Sequence, residues 1–205
     1  MKADIQRKPR TQSDRRAQTR KALLDATIEV LQSRGFDGCS LANVAKHAGL
    51  TTGSVQHHFR TKAQLMLAVI EERLFDKDDG EQLDSQTRKS VAERCRFLVE
   101  RQWEYYGDPK YLAIWSIILG GRSDLEVMEK ITEWQQEAIT LHQRAIGALF
   151  ADFDLTPEKV RSIQYFVNAQ LRGLALLQTV DPDPANIKTQ FDLLARMIEM
   201  QISED

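Results

Sequence analysis

Residues 41–64 have the sequence LANVAKHAGLTTGSVQHHFRTKAQ. The first half carries apolar residues at helical spacing, and Gly49 can end that helix in a left-handed conformation. Either Thr51 or Thr52 can then cap a second short helix that ends at Phe59. This stretch therefore predicts two short helices joined by a tight turn.

A helix pair of this size, with glycine in its turn, is the unit whose second helix can lie in the major groove of DNA. The candidate groove-reading residues on that helix are Thr52, Ser54, Val55, Gln56, His57 and His58. Ser40 is the predicted cap of the first helix, and its hydroxyl can equally donate to a phosphate. The pattern thus predicts a DNA-binding surface.

The charge of the chain is divided unevenly between its two parts. Residues 1–64 hold 12 Lys and Arg against 5 Asp and Glu, a net charge of +7. Residues 65–205 hold 16 against 25, a net charge of −9. Because the positive part overlaps the predicted helix-turn-helix, the split favours a DNA-binding module joined to a body that does not bind DNA. The alternative is an ordinary basic tail on an acidic protein.

Residues 20–65 resemble the DNA-binding domain of TetR-family transcriptional repressors. The matching residues, at the family's spacing, are Gly35-Phe36, Cys39-Ser40, Val44-Ala45, Ala48-Gly49-Leu50-Thr51, Gly53, His58-Phe59, Lys62 and Leu65. The resemblance implies that Lys62 meets a DNA phosphate. A cation in the first turn of a helix, where the helix dipole favours an acid, also suggests an anion from outside the protein. Ser40, Thr51 and Lys62 complete the predicted DNA-binding set.

Two positions depart from the family's pattern. Gln56 stands where the family usually has a tyrosine that touches a phosphate, and Cys39 stands where threonine is common. Glutamine can donate to a phosphate or form a bidentate pair with adenine. The change at Gln56 therefore predicts retained binding with a different operator preference.

The whole chain is predicted to be all-α, with an N-terminal three-helix helix-turn-helix domain and a C-terminal bundle for ligand binding and dimerisation. The predicted parts are a basic flexible arm at 1–12, the DNA-binding domain at 13–60, a connecting helix at 61–75, and the bundle at 76–205. Thr61 caps the connecting helix, with Gln64 completing a capping box. The bundle helices are predicted at 85–106, 109–120, 124–150, 157–179 and 184–203, with Pro109, Pro157 and Pro184 in their first turns.

The last two predicted helices are long and amphipathic. They can close a monomeric bundle, or they can pair with their copies across a two-fold axis, as the resemblance implies. A homodimer would place two reading helices about 34 Å apart on one face of a duplex. The implied target is a near-palindromic operator in double-stranded DNA.

Aromatic side chains are concentrated in the middle helices of the predicted bundle. The candidate ligand-binding residues are Trp103, Tyr106, Tyr111, Trp115, Trp134 and His142. Each is individually more typical of a core position, whereas a pocket for a small-molecule inducer is what the resemblance implies. The acidic excess and the tryptophans would suit a cationic ligand through cation–π attraction.

Other function classes have little support in the sequence. No run of about 18 apolar residues suggests a membrane span, and residues 1–11 lack the apolar centre of a secretion signal, so a cytoplasmic protein is expected. The histidines and cysteines form no metal-ligand spacing, and no cofactor or catalytic motif stands out, so we expect no enzyme. The rival hypothesis is a helical ligand-binding or adaptor protein without operator-specific DNA binding.

Overall fold

The computed structural model describes residues 11–74 and 85–203, and within them every regular element is an α-helix. The helices are α1 (Gln12–Gly38), α2 (Leu41–His47), α3 (Thr52–His58), α4 (Lys62–Leu74), α5 (Val91–Tyr106), α6 (Tyr111–Gly120), α7 (Leu125–Leu149), α8 (Pro157–Leu177) and α9 (Pro184–Ser203). The all-α prediction is confirmed. No helix among these residues is long and apolar enough to cross a membrane.

Helices α2 and α3 both begin with the predicted N-cap residues. The Ser40 hydroxyl oxygen accepts the backbone N–H of Asn43 at 3.2 Å, and the Thr51 hydroxyl oxygen accepts that of Ser54 at 3.1 Å. Gly49 has a φ of +66°, in the left-handed region that favours glycine. Because each helix end is satisfied locally, the α2–α3 turn is specified by its own sequence.

The start of α4 differs in one detail from the prediction. The Thr61 hydroxyl oxygen accepts the N–H of Gln64 at 3.1 Å, as expected for the cap. The Gln64 side chain, however, accepts the N–H of Arg60 at 2.9 Å and not that of Thr61. The predicted capping box is therefore half formed, with its second bond moved one residue back along the chain.

The first two bundle helices begin later than predicted. Ser90 and Glu93 form a capping box that begins α5 at Val91. Before α6, a carboxylate oxygen of Asp108 accepts the N–H of Lys110 at 2.8 Å, so Pro109 lies in a turn and the helix begins at Tyr111. A capping box thus sets the start of α5 and a turn at Asp108 sets that of α6, whereas Thr156 and Pro157 begin α8 as predicted.

The buried side chains form two cores. The first unites α1 to α4 with α6 and the beginning of α7, and the second unites α5, the end of α7, α8 and α9. The helix-turn-helix therefore shares its core with two bundle helices. The predicted arm at 1–12, apart from its last two residues, and most of the charged connector at 76–85 lie outside the described residues, so the domain division stays a prediction.

Phe36 connects three elements at the edge of the first core. Its ring packs so closely on Gly120 that a Cβ atom at position 120 would clash with the Phe36 Cγ. The ammonium of Lys62 donates to the Phe36 carbonyl at 2.5 Å and lies 3.8 Å from the ring centroid. The end of α1, the start of α4 and the end of α6 therefore meet at one residue.

Candidate nucleic-acid interface

The second helix of the pair, α3, presents a polar face to solvent. Thr52, Gln56 and His57 are exposed. Thr52 and Gln56 are one helical turn apart, so their side chains lie on the same side of α3. This arrangement leaves a hydroxyl and an amide free to contact base edges in a groove.

Val55 does not belong to this face, and its prediction as a reading residue is wrong. Its side chain is fully buried in the first core, where Val44 and Phe59 are also buried. The reason is that a short helix must turn at least one residue inward to be held in place, and Val55 is the apolar residue at that position. Ser54 is half-buried beside it.

The two histidines at the end of α3 differ in environment. His57 is exposed, whereas His58 is half-buried, with ring centroids 5.7 Å apart. Burial lowers the pKa of His58, and the nearby His57 lowers it further. Because the lowered pKa disfavours the imidazolium, His58 offers a neutral ring to the surface and His57 is the more accessible partner for DNA.

The predicted phosphate contacts on the caps remain available. Ser40 and Thr51 are exposed, and each uses its hydroxyl oxygen as an acceptor within its cap. A hydroxyl still has its O–H to donate. Cys39, in contrast, is fully buried, and burial raises the pKa of its thiol to about 11, so it contributes to the core and not to the surface.

Lys62 is half-buried and has partners within the protein, the carbonyl and ring of Phe36. An ammonium has three donors, of which the Phe36 carbonyl uses one. The phosphate contact implied by the family resemblance therefore stays a prediction.

Two arginines of α1 were missed by the sequence analysis. Arg16 and Arg20 lie near enough to His58 that their charges also lower its pKa, and the Arg20 guanidinium carbon is 5.3 Å from the centroid of the Phe59 ring. Their spacing of four residues places both on one face of α1. That spacing is the signal that could have revealed them.

The predicted ligand-binding residues do not form one pocket. Tyr106 and Tyr111 are almost fully buried with ring centroids 5.0 Å apart, and Trp115 lies 6.4 Å from Tyr111. Trp103 instead packs on Phe191. Trp134 belongs to the periphery of the first core, so the structure separates it from the others.

His142 is half-buried on α7, and burial lowers its pKa. None of the predicted ligand-binding residues lines either of two cavities that the structure contains. One, of about 250 Å³, lies between α4 and the α6–α7 turn beside Phe36 and Lys62. The other, of about 90 Å³, lies between α8 and α9.

Helices α2 and α3 are joined by a turn at Gly49 and are capped by local side chains. The second helix presents a polar face beside two arginines of α1. These features define a helix-turn-helix DNA-binding protein. Residues 23–69 match the model of the tetR family of bacterial regulatory proteins. The chain belongs to the TetR family of transcriptional regulators.

Similarity to known proteins extends over most of the chain. It is 24% identical over 200 residues to the transcriptional regulator BetI of Cronobacter sakazakii, covering 90% of this chain and 91% of that protein. It is also 24% identical over 173 residues to the regulator CymR of Pseudomonas putida, covering 82% and 83%. The chain is therefore a DNA-binding transcriptional regulator.

Solved structures share the fold. NalD of Pseudomonas aeruginosa, the secondary repressor of the MexAB-OprM multidrug efflux pump, superposes with a TM-score of 0.64 at 22% identity, covering 92% of this chain and 98% of that one. FadR of Bacillus subtilis, in complex with stearoyl-CoA, gives 0.58 at 16% identity, covering 89% and 97%. At these identities the likeness establishes the architecture alone.

Proposed function

We propose that the chain is a homodimeric repressor that binds a near-palindromic operator through α3 and leaves it when a small molecule binds the C-terminal bundle. This proposal rests on the exposed polar face of α3, which lies beside the cationic residues of α1. Such a protein acts by binding and not by catalysis, in the cytoplasm where its DNA target lies.

On DNA, the residues would divide into two groups. Thr52, Gln56 and His57 would contact base edges, with the Gln56 amide able to pair with adenine. The hydroxyls of Ser40 and Thr51 and the cations Lys62, Arg16 and Arg20 would contact phosphates, which hold the protein in register without reading sequence.

Dimerisation is supported by the distribution of exposed apolar side chains. Seven of the ten large apolar side chains exposed in residues 11–74 and 85–203 lie on α8, on α9 or just after α8: Tyr165, Leu176, Leu177, Val180, Leu193, Met197 and Met200. A concentration of this kind marks an interaction surface. Pairing α8 and α9 with their copies would cover it in a four-helix bundle.

Communication between ligand and DNA is supported by the contacts of Phe36. The end of α6 touches the DNA-binding half at this residue, and α4 is attached there by Lys62. A ligand releases DNA only insofar as it binds the non-DNA conformation better. A ligand-dependent shift of α6 would act on α1 and α4 together, and so on the separation of the two α3 helices.

The salt dependence of binding to duplex DNA tests this proposal. Lys62→Ala should weaken binding to all sequences and reduce the slope of log affinity against log salt by about 1, because one phosphate contact is lost. The measurement is a fluorescence-anisotropy titration at several salt concentrations. Lys130→Ala is the matched control, since Lys130 is exposed on α7 and paired with Glu133.

Two results would count against the proposal. If the wild-type chain fails to bind duplex DNA at low salt, the proposed function is wrong. If binding is present but Lys62→Ala leaves the slope unchanged, Lys62 serves only to hold Phe36.

A further inference from the structure

A row of polar side chains runs along the inner side of α8. Gln164, Asn168 and Arg172 follow one another at intervals of four residues, so they share one face of the helix. Gln164 is almost fully buried, and Asn168 and Arg172 are half-buried. An amphipathic helix usually gives its inner face to apolar residues, so this row needs an explanation.

Arg172 lies in an aromatic cage. Its Nε donates to the Tyr111 hydroxyl at 3.0 Å, and its guanidinium carbon is 4.8 Å from the Trp115 centroid and 6.0 Å from that of Tyr106. Both phenols are neutral, since burial raises the pKa of Tyr111 and raises that of Tyr106 to about 12. The guanidinium therefore keeps its full positive charge beside uncharged neighbours.

Two arginines on α5, which are also removed from solvent in part or in full, differ from Arg172 in having carboxylate partners. Arg94 is 3% exposed and forms a two-point ion pair with Asp152. Arg96 pairs with Glu100 and Asp192. Within the described ranges, no carboxylate pairs with Arg172. A charge withdrawn from water without a counter-charge is unfavourable, so an anion at this position would be strongly favoured.

The same row contains two acceptors for which residues 11–74 and 85–203 supply no donor. The Gln164 Nε2 donates to the carbonyl of Ile139 at 3.1 Å, which fixes the orientation of its amide and leaves Oε1 buried with no partner among the described residues. The Oδ1 atom of Asn168, one turn before Arg172, is also buried and has no partner within the same ranges. The row therefore offers one cation at one end and hydrogen-bond acceptors beside it.

We infer that α8 holds the anionic group of the regulator's effector, and that this effector is a small organic acid: one carboxylate on an apolar body, with a hydroxyl or amide donor. This inference rests on the proposed ligand response and names its chemical class. One guanidinium balances one negative charge, which suits a carboxylate better than a phosphate dianion. The cage gives the apolar body aromatic rings to pack against. It also reverses the expectation of a cationic ligand, because the cation of the cage is the protein's own.

The melting temperature of Arg172→Met tests whether the guanidinium serves to bind a ligand or to stabilise the ligand-free fold. Methionine removes a desolvated charge that no described carboxylate balances, and we expect this gain to offset the lost hydrogen bond to Tyr111 and the lost contacts with the rings. The melting temperature of the ligand-free variant should therefore equal or exceed that of the wild type. Arg161→Met is the matched control, since Arg161 is exposed on the same helix and stacks on Tyr165. A fall of roughly 5 °C confined to Arg172→Met would overturn the inference.

Binding of matched probes tests the chemical class. Benzoate and octanoate at millimolar concentration should raise the melting temperature of the wild type, whereas the uncharged benzamide and octanamide should not. Arg172→Met should weaken binding of the acids by about 10- to 100-fold, as expected for a lost hydrogen bond to a charged group. Equal effects of acid and amide, no effect of either acid, or unchanged acid binding by Arg172→Met would each contradict the inference.

Duplex binding by the same variant separates this inference from the proposed function. Arg172→Met should bind DNA as the wild type does, but the acids should no longer release it. If neither protein binds DNA, the proposed function fails, while the acid-dependent melting shift still decides the chemistry of the site.

Discussion

Leu193→Glu is expected to dissociate the dimer and to lower affinity for a duplex with two half-sites by about 10²- to 10⁴-fold, the range over which linked binding sites exceed single ones. Leu193 is 51% exposed on α9 and lines the groove between α8 and α9 with Phe166, Leu174 and Met197. A carboxylate there would be buried without a partner in the proposed four-helix bundle. The monomer would keep its own α3 but would lack the α3 helix of a second protomer for the other half-site.

Analytical ultracentrifugation and titration of the duplex measure the two effects together. Leu141→Glu is the control, because Leu141 is 54% exposed on α7 and outside the proposed interface. It should leave both mass and affinity unchanged. A Leu193→Glu protein that stays dimeric would place the dimer interface elsewhere.

Gly120→Ala should lower the free energy of unfolding by about 1–3 kcal/mol, the usual cost of adding atoms to a filled core. The added Cβ would clash with the Cγ and Cδ1 atoms of Phe36 and lie 2.7 Å from its Cβ. The ring would have to move away from α6, and the contact of Lys62 with it would be disturbed. The same change should therefore also weaken the effect of ligand on DNA binding.

Gly147→Ala is the matched control for denaturant unfolding. Gly147 lies within α7 with nothing within 4 Å of an added Cβ, so alanine should stabilise the helix by up to about 1 kcal/mol. Opposite signs for the two glycines would support the close packing of Phe36 on α6. Stabilisation by both would show that Phe36 is free to move and does not connect α6 to the DNA-binding half.

The helix-turn-helix was predictable because its signals are local. Ser40, Gly49 and Thr51 specify caps and a turn by bonds to neighbours three residues away or less. Val55 was misassigned because a run of seven helical residues was treated as one surface, although a helix always turns some of its residues inward. Which side of α3 faces solvent therefore becomes clear only in the structure.

The ligand-binding half was less predictable because its organisation is not local. Trp134 and His142 lie on one helix, α7, whose beginning contributes to the first core and whose end contributes to the second. Periodicity shows that a stripe is apolar but not which core it faces. Arg172 could not be recognised at all, since its significance is that no carboxylate within residues 11–74 and 85–203 pairs with it, and a sequence does not show pairing.

Selection of bound duplexes from a random DNA library, at a low and a higher salt concentration, measures whether α3 reads an operator sequence. We expect enrichment of a near-palindrome whose half-sites lie about one helical turn or more apart, retained at the higher salt. With Gln56→Ala, preference at one position in each half-site should relax by about 1–3 kcal/mol. Recovery of unenriched DNA whose binding is lost with salt would show backbone attraction alone and would contradict an operator-reading role for α3.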